Sequence, residues 1–92
     1  MTASRRIFVV TPVYEDLEAC SRLFRRLSEE LGPKLFVVAV DDGSVKQPLS
    51  ASSISDQGPH GVVLKLRRNV GHQRAIAIGL TYVADHADAD DL

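Results

Sequence analysis

The sequence predicts an α/β protein in which helices flank a parallel sheet. Two kinds of segment alternate along its 92 residues: short, nearly continuous apolar runs, and longer stretches with apolar residues at three- and four-residue spacing. The first kind is typical of strands buried on both faces, and the second is typical of amphipathic helices. Strands that alternate with helices favour right-handed βαβ units and hence a parallel sheet.

The first strand and the first helix are predicted within residues 7–33. The run "IFVVT" (7–11) reads as a buried strand that ends before Pro12, because proline cannot donate to a central ladder. Asp16 is the expected N-cap of the helix, and Gly32-Pro33 is its stop signal. The apolar stripe of this helix contains Leu17, Cys20, Leu23, Phe24, Leu27 and Leu31.

The rest of the chain predicts two more strands and a second long helix. The apolar run 34–40 is a second strand, and the polar segment 42–61 is a loop with one weak helical turn near Leu49 to Ile54. Residues 62–66 form the third strand, and 71–87 form a helix whose high apolar content predicts that it is largely buried. The order β-α-β-loop-β-α indicates a Rossmann-like sheet.

Composition and charge limit the classes of function. The chain is long enough for one small domain, and its net charge of −1 gives no general attraction to nucleic acid or to a membrane. The basic residues Lys65, Arg67 and Arg68 are not interleaved with aromatic residues, as a nucleic-acid surface requires. The single cysteine, Cys20, is expected to pack in the core and favours a cytoplasmic setting.

Polar residues follow each predicted strand at the point where it ends. Because ligands of open parallel sheets bind outside the carboxyl ends of the strands, these residues are candidates for one binding rim. A carboxylate at Asp41 or Asp42 can accept hydrogen bonds from a base N–H or from ribose hydroxyls. The alternative is that "DDG" is only a strand-to-turn transition, since Asp-Gly is a common turn dipeptide.

Three blocks of sequence, "VVTPVYED", "VVAVDDGS" and "LRRNVGHQRAIAIGL", occur in this order. Together they resemble the beginning of a family 2 glycosyltransferase with the GT-A fold. The nearest type is the polyprenyl-phosphate sugar transferases, such as the dolichol-phosphate mannose synthases. The resemblance runs from Phe8 to Leu80. It implies transfer of a sugar from a UDP- or GDP-linked donor to an acceptor such as a polyprenyl phosphate, in the synthesis of cell wall or glycolipid.

The resemblance also implies a role for residues at all three strand ends. Tyr14 would pack beside the base, and Asp42 would bind the base or the ribose. Asp41, beside Asp42, would act as an orienting residue. Gly71 would allow close approach of the backbone to the diphosphate, and Arg74 would add a charged contact. The full set of nucleotide-binding residues implied in this way is Pro12, Tyr14, Glu15, Asp41, Asp42, Asn69, Gly71 and Arg74.

The resemblance further implies a divalent cation, Mg²⁺ or Mn²⁺, held by an Asp-any-Asp motif that ends an apolar strand. Asp88-Ala89-Asp90 has these letters, but it follows a helix directly, so we expect a surface turn there. The last helix should lead into a further strand, and Leu92 would begin it. Residues 1–92 are therefore expected to be a partial GT-A domain, truncated before the metal motif. It would contain no catalytic residue and no metal ligand and be inactive alone.

Two other classes stay open at this point. The chain could be a non-catalytic module that binds a nucleotide or a protein, or it could form homo-oligomers through an open sheet edge. A dinucleotide-dependent oxidoreductase is disfavoured, because the turn "TPVYED" after the first strand contains no glycine. For the longer protein, the resemblance implies association with the cytoplasmic face of a membrane.

Overall fold

The computed structural model describes residues 5–92, in which three parallel strands form a sheet of order β1-β2-β3 with helices on both faces. This arrangement confirms the predicted α/β, Rossmann-like fold. A short 3-10 turn, Gly32–Lys34, follows the first helix. The strands are β1 (Ile7–Val13), β2 (Leu35–Asp41) and β3 (His60–Lys65), and the helices are α1 (Leu17–Leu31), α2 (Ala51–Ser55) and α3 (His72–His86).

The core lies on both faces of β2, the central strand. All residues of β2 except Phe36 are buried, as the continuous apolar run predicted. Beneath α1 and α2, one core cluster contains Val13, Cys20, Phe24, Leu35, Val37, Ala39, Leu49 and Ile54. On the α3 face, the second cluster contains Val38, Val40 and Ala75, with partly buried side chains of β1, β2 and β3 packed against them.

Helix α1 has the ends that its sequence predicts. The Asp16 side chain accepts a hydrogen bond from the Ala19 N–H at 3.2 Å, as an N-cap does. Gly32 ends the helix with a positive φ of 64°, and its own N–H donates to the Ser28 carbonyl. Helix α2 is a single turn of five residues, in the place where one weak turn was expected.

The prediction that β1 ends before Pro12 is wrong, because the strand continues to Val13 and Pro12 lies opposite Val40. The Phe8 N–H points away from β2, since it donates to the Leu92 carbonyl. Strand N–H groups alternate in direction, so the position of Pro12 also faces away from β2. Proline therefore removes no β1–β2 hydrogen bond here.

Helix α3 is less buried than predicted. Ala75 and Gly79 are its buried residues, whereas Ile76, Ile78 and Leu80 are between 36% and 54% exposed. The helix lies closest to the sheet at Gly79, where an added Cβ would be only 2.5 Å from Val10 Cγ1. Within residues 5–92, no helix combines the length and the apolar character that a bilayer span needs.

The tail after α3 returns to the amino end of β1. The Leu92 N–H donates to the Arg6 carbonyl at 2.9 Å, and the Phe8 N–H donates to the Leu92 carbonyl at 2.6 Å. This is the pattern of a parallel pair, so Leu92 lies where a strand beside β1 was expected. Arg6 also forms an ion pair with Asp91, at 2.9 Å between Nη2 and Oδ2.

Candidate functional site

A cleft of about 270 Å³ opens at the carboxyl end of β1, between α1 and the beginning of α3. Two of the residues predicted to bind a nucleoside, Pro12 and Tyr14, lie in its wall. The Tyr14 side chain is accessible, since the residue is 48% exposed. The complete lining consists of Thr11, Pro12, Val13, Tyr14, Asp16, Ala19, Cys20, Leu23 and His72.

Sequence reasoning did not assign Thr11, Asp16 or Leu23 to this cleft. Asp16 was expected only to cap α1, and His72 was not among the predicted binding residues. A signal was present in the helical period, because Asp16, Cys20 and Leu23 recur at positions i, i+4 and i+7 and share one face of α1. That face borders the cleft at the end of β1.

The buried cysteine gives this cleft a neutral wall. Burial raises the pKa of the Cys20 thiol to about 11, and the negative charges of Asp16 and Asp41 add to the shift. The thiol therefore stays protonated at neutral pH and behaves as a small apolar group. This confirms the packing role predicted for Cys20.

Asp41 organises the loop that follows β2. The residue is 2% exposed, and its two carboxylate oxygens accept hydrogen bonds from the Ser44 N–H and the Leu49 N–H, both at 3.0 Å. Within residues 5–92, every buried side-chain nitrogen or oxygen has a hydrogen-bond partner. The burial of this carboxylate is thus balanced by backbone donors.

Asp42 fixes the start of α3. It is fully buried, and its carboxylate oxygens accept hydrogen bonds from the Val70 N–H at 2.7 Å and the Gly71 N–H at 3.1 Å. The two loops also touch directly, because a Cβ added at Gly43 would lie 2.5 Å from the backbone of Arg68. A ligand would reach the Asp42 carboxylate only if residues 68–71 moved, so its role as a nucleotide contact stays a prediction.

Glu15 points away from the cleft, toward the loop after β2. Its carboxylate accepts hydrogen bonds from three consecutive backbone N–H groups, those of Val45, Lys46 and Gln47, at 2.8 to 3.2 Å. These donors, the Val45 N–H foremost, lower the pKa of the Glu15 carboxyl. Glu15 is therefore a charged acceptor that joins two loops, and its predicted place in a nucleoside pocket is not tested by this geometry.

The remaining predicted residues surround the beginning of α3. Asn69 and Arg74 are exposed, and Gly71 stands before the helix with a φ of 94°. A Cβ at Gly71 would meet no atom within 4 Å among residues 5–92, so its backbone conformation, rather than space, favours glycine. Asn69, Gly71 and Arg74 therefore lie on the same side of the sheet rim as His72 of the cleft.

The acidic residues near the end of the chain lie far from this rim. Asp88-Ala89-Asp90 belongs to an exposed turn after α3, at the amino end of the strands, as expected. In the described part of the chain, no group of three or more His, Cys, Asp or Glu side chains is placed to hold a metal ion. The residues present thus do not fit the divalent cation that the family resemblance implies.

A parallel sheet with helices on both faces and a cleft at the carboxyl end of β1 defines a Rossmann-like α/β protein, and ligands of such sheets bind at this end of the strands. Comparison with curated proteins goes further. The chain is 39% identical over 88 residues to an undecaprenyl-phosphate 4-deoxy-4-formamido-L-arabinose transferase of Enterobacter sp. (strain 638). This similarity confirms the resemblance to polyprenyl-phosphate sugar transferases.

The match covers 88% of this chain but only 26% of the relative. The chain thus spans about a quarter of the length of this curated relative. No protein-family model and no solved structure matches the chain.

Proposed function

We propose that this chain is the nucleoside-binding part of a glycosyltransferase, which transfers a sugar from a UDP- or GDP-linked donor to a polyprenyl phosphate. The observation that carries the proposal is the cleft beside Tyr14, at the end of β1. The similar transferase from Enterobacter supports the reaction class and the lipid acceptor, because its name contains both. A lipid acceptor would place the reaction at a membrane surface, which we propose is the cytoplasmic face.

The size and lining of the cleft suit a nucleoside better than a whole donor. Pockets for drug-sized ligands enclose roughly 300 to 1,000 Å³, and this cleft, with about 270 Å³, is just below that range. The exposed ring of Tyr14 can stack on a base, and Pro12 and Leu23 provide apolar contact. Asp16 and His72 add hydrogen-bonding groups that can distinguish one base from another.

The beginning of α3 would take the phosphates. The first N–H groups of a helix point outward and favour negative charge. The Gly71 N–H already donates to Asp42, so the donors for a phosphate would be the next residues of the helix. The exposed guanidinium of Arg74 adds a charge-assisted contact on the same turn.

The described residues do not fit a divalent cation. We therefore expect the nucleotide affinity of this chain to be equal with Mg²⁺ and with a chelator. We propose that any metal ligands and acceptor contacts of the transferase lie outside residues 5–92. Pairing of copies through the edge of the sheet stays a further prediction, since β3 is an outer strand of the described sheet.

Calorimetric titration of the chain with UDP and with GDP tests the binding proposal. The chain is expected to bind one of the two saturably. Tyr14→Ala should weaken binding at least about fivefold, since stacking of a base on an aromatic ring contributes about 1 to 3 kcal/mol. The control is Tyr82→Phe, because Tyr82 stacks on His86 and lies outside the cleft. Absence of binding to either nucleotide would contradict the proposal.

Sugar transfer must be measured on the full-length protein that contains this chain. With a polyprenyl phosphate and a nucleotide-sugar, the full-length protein should form a glycolipid, and residues 1–92 alone should not. Nucleotide binding by the full-length protein without transfer to any lipid phosphate would favour the non-catalytic module instead.

A further inference from the structure

Glu15 has a backbone conformation that few residues other than glycine adopt. Its φ is +50°, and it is the non-glycine residue with positive φ in the described part of the chain. This left-handed conformation costs free energy for a residue with a Cβ, so it persists only where surrounding contacts compensate. The contacts around Glu15 therefore indicate what holds it there.

Within residues 5–92, the hydrogen bonds of Glu15 are with one segment, residues 44–47, in the loop after β2. The Glu15 N–H donates to Ser44 Oγ at 2.8 Å, and the Glu15 carboxylate accepts from the three N–H groups that follow, with Oε1 at 2.8 Å from the Gln47 nitrogen. The Leu17 N–H donates to Gln47 Oε1 at 3.1 Å, just inside α1. The turn between β1 and α1 is thus bound to a segment some 30 residues away.

The position of Glu15 relative to the cleft is the second observation. Both of its neighbours, Tyr14 and Asp16, line the cleft, whereas Glu15 does not. The left-handed residue turns its own side chain toward segment 44–47 and leaves the two flanking side chains at the cleft wall. The hydrogen bonds of Glu15 therefore anchor the backbone between two residues of the cleft wall.

We propose that Glu15 is a positioning residue, which binds segment 44–47 and thereby holds Tyr14 at the wall of the cleft without contacting the ligand. The importance of this role for nucleotide binding rests on the proposed function. The hold on Tyr14 does not, and it can be measured without any nucleotide.

The chain offers a direct probe, because it has two tyrosines and no tryptophan. In a Tyr82→Phe background, Tyr14 is the sole source of tyrosine fluorescence. Quenching of this fluorescence by acrylamide reports how freely Tyr14 moves out of the wall. Glu15→Gln removes the charge and one acceptor oxygen, and Glu15→Gly removes the carboxylate while relieving the backbone strain.

Both variants are expected to quench more readily than the background protein and to bind UDP or GDP about tenfold more weakly, which corresponds to 1.4 kcal/mol. The matched control is Glu18→Gln, because Glu18 is exposed and its ion pair within residues 5–92 is with Arg22, across one helical turn. It should leave both quantities unchanged. Circular dichroism must show that each variant is folded; if neither Glu15 variant folds, Ser44→Ala removes the acceptor of the Glu15 N–H and should raise quenching by a smaller amount.

The outcomes separate the possibilities. Unchanged quenching in folded Glu15→Gln and Glu15→Gly would overturn the proposal. If these variants also bound nucleotide more weakly, the result would indicate direct contact of Glu15 with the ligand. Wild-type quenching in Glu15→Gly alone would also overturn it, since the backbone conformation would then suffice without the carboxylate. Increased quenching in a chain that binds no nucleotide would support the role of Glu15 and refute the proposed function.

Discussion

Replacing Asp42 by alanine is expected to lower the free energy of unfolding by about 3 kcal/mol. The carboxylate is fully buried and accepts the Val70 N–H at 2.7 Å and the Gly71 N–H at 3.1 Å. Hydrogen bonds to a charged group contribute about 1.5 to 3 kcal/mol each. We take the lower value for both bonds, because removing a buried charge also removes its cost of desolvation.

This loss is large for so small a protein, whose total stability is roughly 5 to 14 kcal/mol for 92 residues. Urea unfolding, monitored by far-ultraviolet circular dichroism, measures this loss of stability. An unchanged m-value would show that the variant exposes the same amount of surface on unfolding as the wild type. Asp42→Asn should cost about half as much, since its amide oxygen keeps one acceptor. That variant keeps the test feasible if the alanine variant does not fold.

The control is Asp90→Ala, which removes the same charge from an exposed turn. A surface change of this kind should alter the free energy of unfolding by no more than about 0.5 kcal/mol. If Asp42→Ala costs no more than this control, then Asp42 does not hold the start of α3 and the structural interpretation is wrong.

Three further results are expected. Gly79→Ala should destabilise the fold by about 1 to 2 kcal/mol, because overpacking against Val10 outweighs the gain in helix propensity; unchanged urea stability would show that α3 can shift. Cys20, with its pKa raised to about 11, should react slowly with iodoacetamide at mildly alkaline pH and quickly once urea unfolds the chain; fast reaction while folded would contradict its burial. Hydrogen bonds from the backbone of Asp88 and from Arg6 lower the pKa of the Asp91 carboxyl below 3.8. The ionised carboxylate should therefore stabilise the fold fully above that pH, and this stabilisation should be lost as the pH falls through the pKa of the folded state. The thermal unfolding temperatures of wild type and Asp91→Asn should differ at neutral pH and converge in acid.

The sequence was sufficient where the signal is local and failed where it depends on a distant partner. Helical spacing and the caps Asp16 and Gly32 predicted α1 closely, since all of that information lies within one segment. The end of β1 was misplaced, because the cost of Pro12 depends on which neighbour its missing N–H would face. The high apolar content of α3 likewise did not show which face of the helix packs on the sheet, so the contact of Gly79 with β1 could not be predicted.

The candidate binding rim shows the same division. Three strand ends bearing polar groups could be inferred from the order of elements, and the cleft is at one of them. That Glu15 faces residues 44–47 instead of the cleft could not be inferred, because its hydrogen-bond donors are about 30 residues away. Local patterns predict that a carboxylate is near the rim, but they do not identify the N–H groups that donate hydrogen bonds to it.

The adjacent carboxylates at the end of β2 now have a physical explanation. Successive side chains of a strand point to opposite faces, so Asp41 and Asp42 reach different loops. Asp41 binds Ser44 and Leu49 on the α1 face, and thus fixes the segment that receives Glu15 beside Tyr14. Asp42 fixes the residues before α3, and thus His72. The two adjacent carboxylates thus hold different loops on the two faces of the sheet, although neither lines the cleft itself.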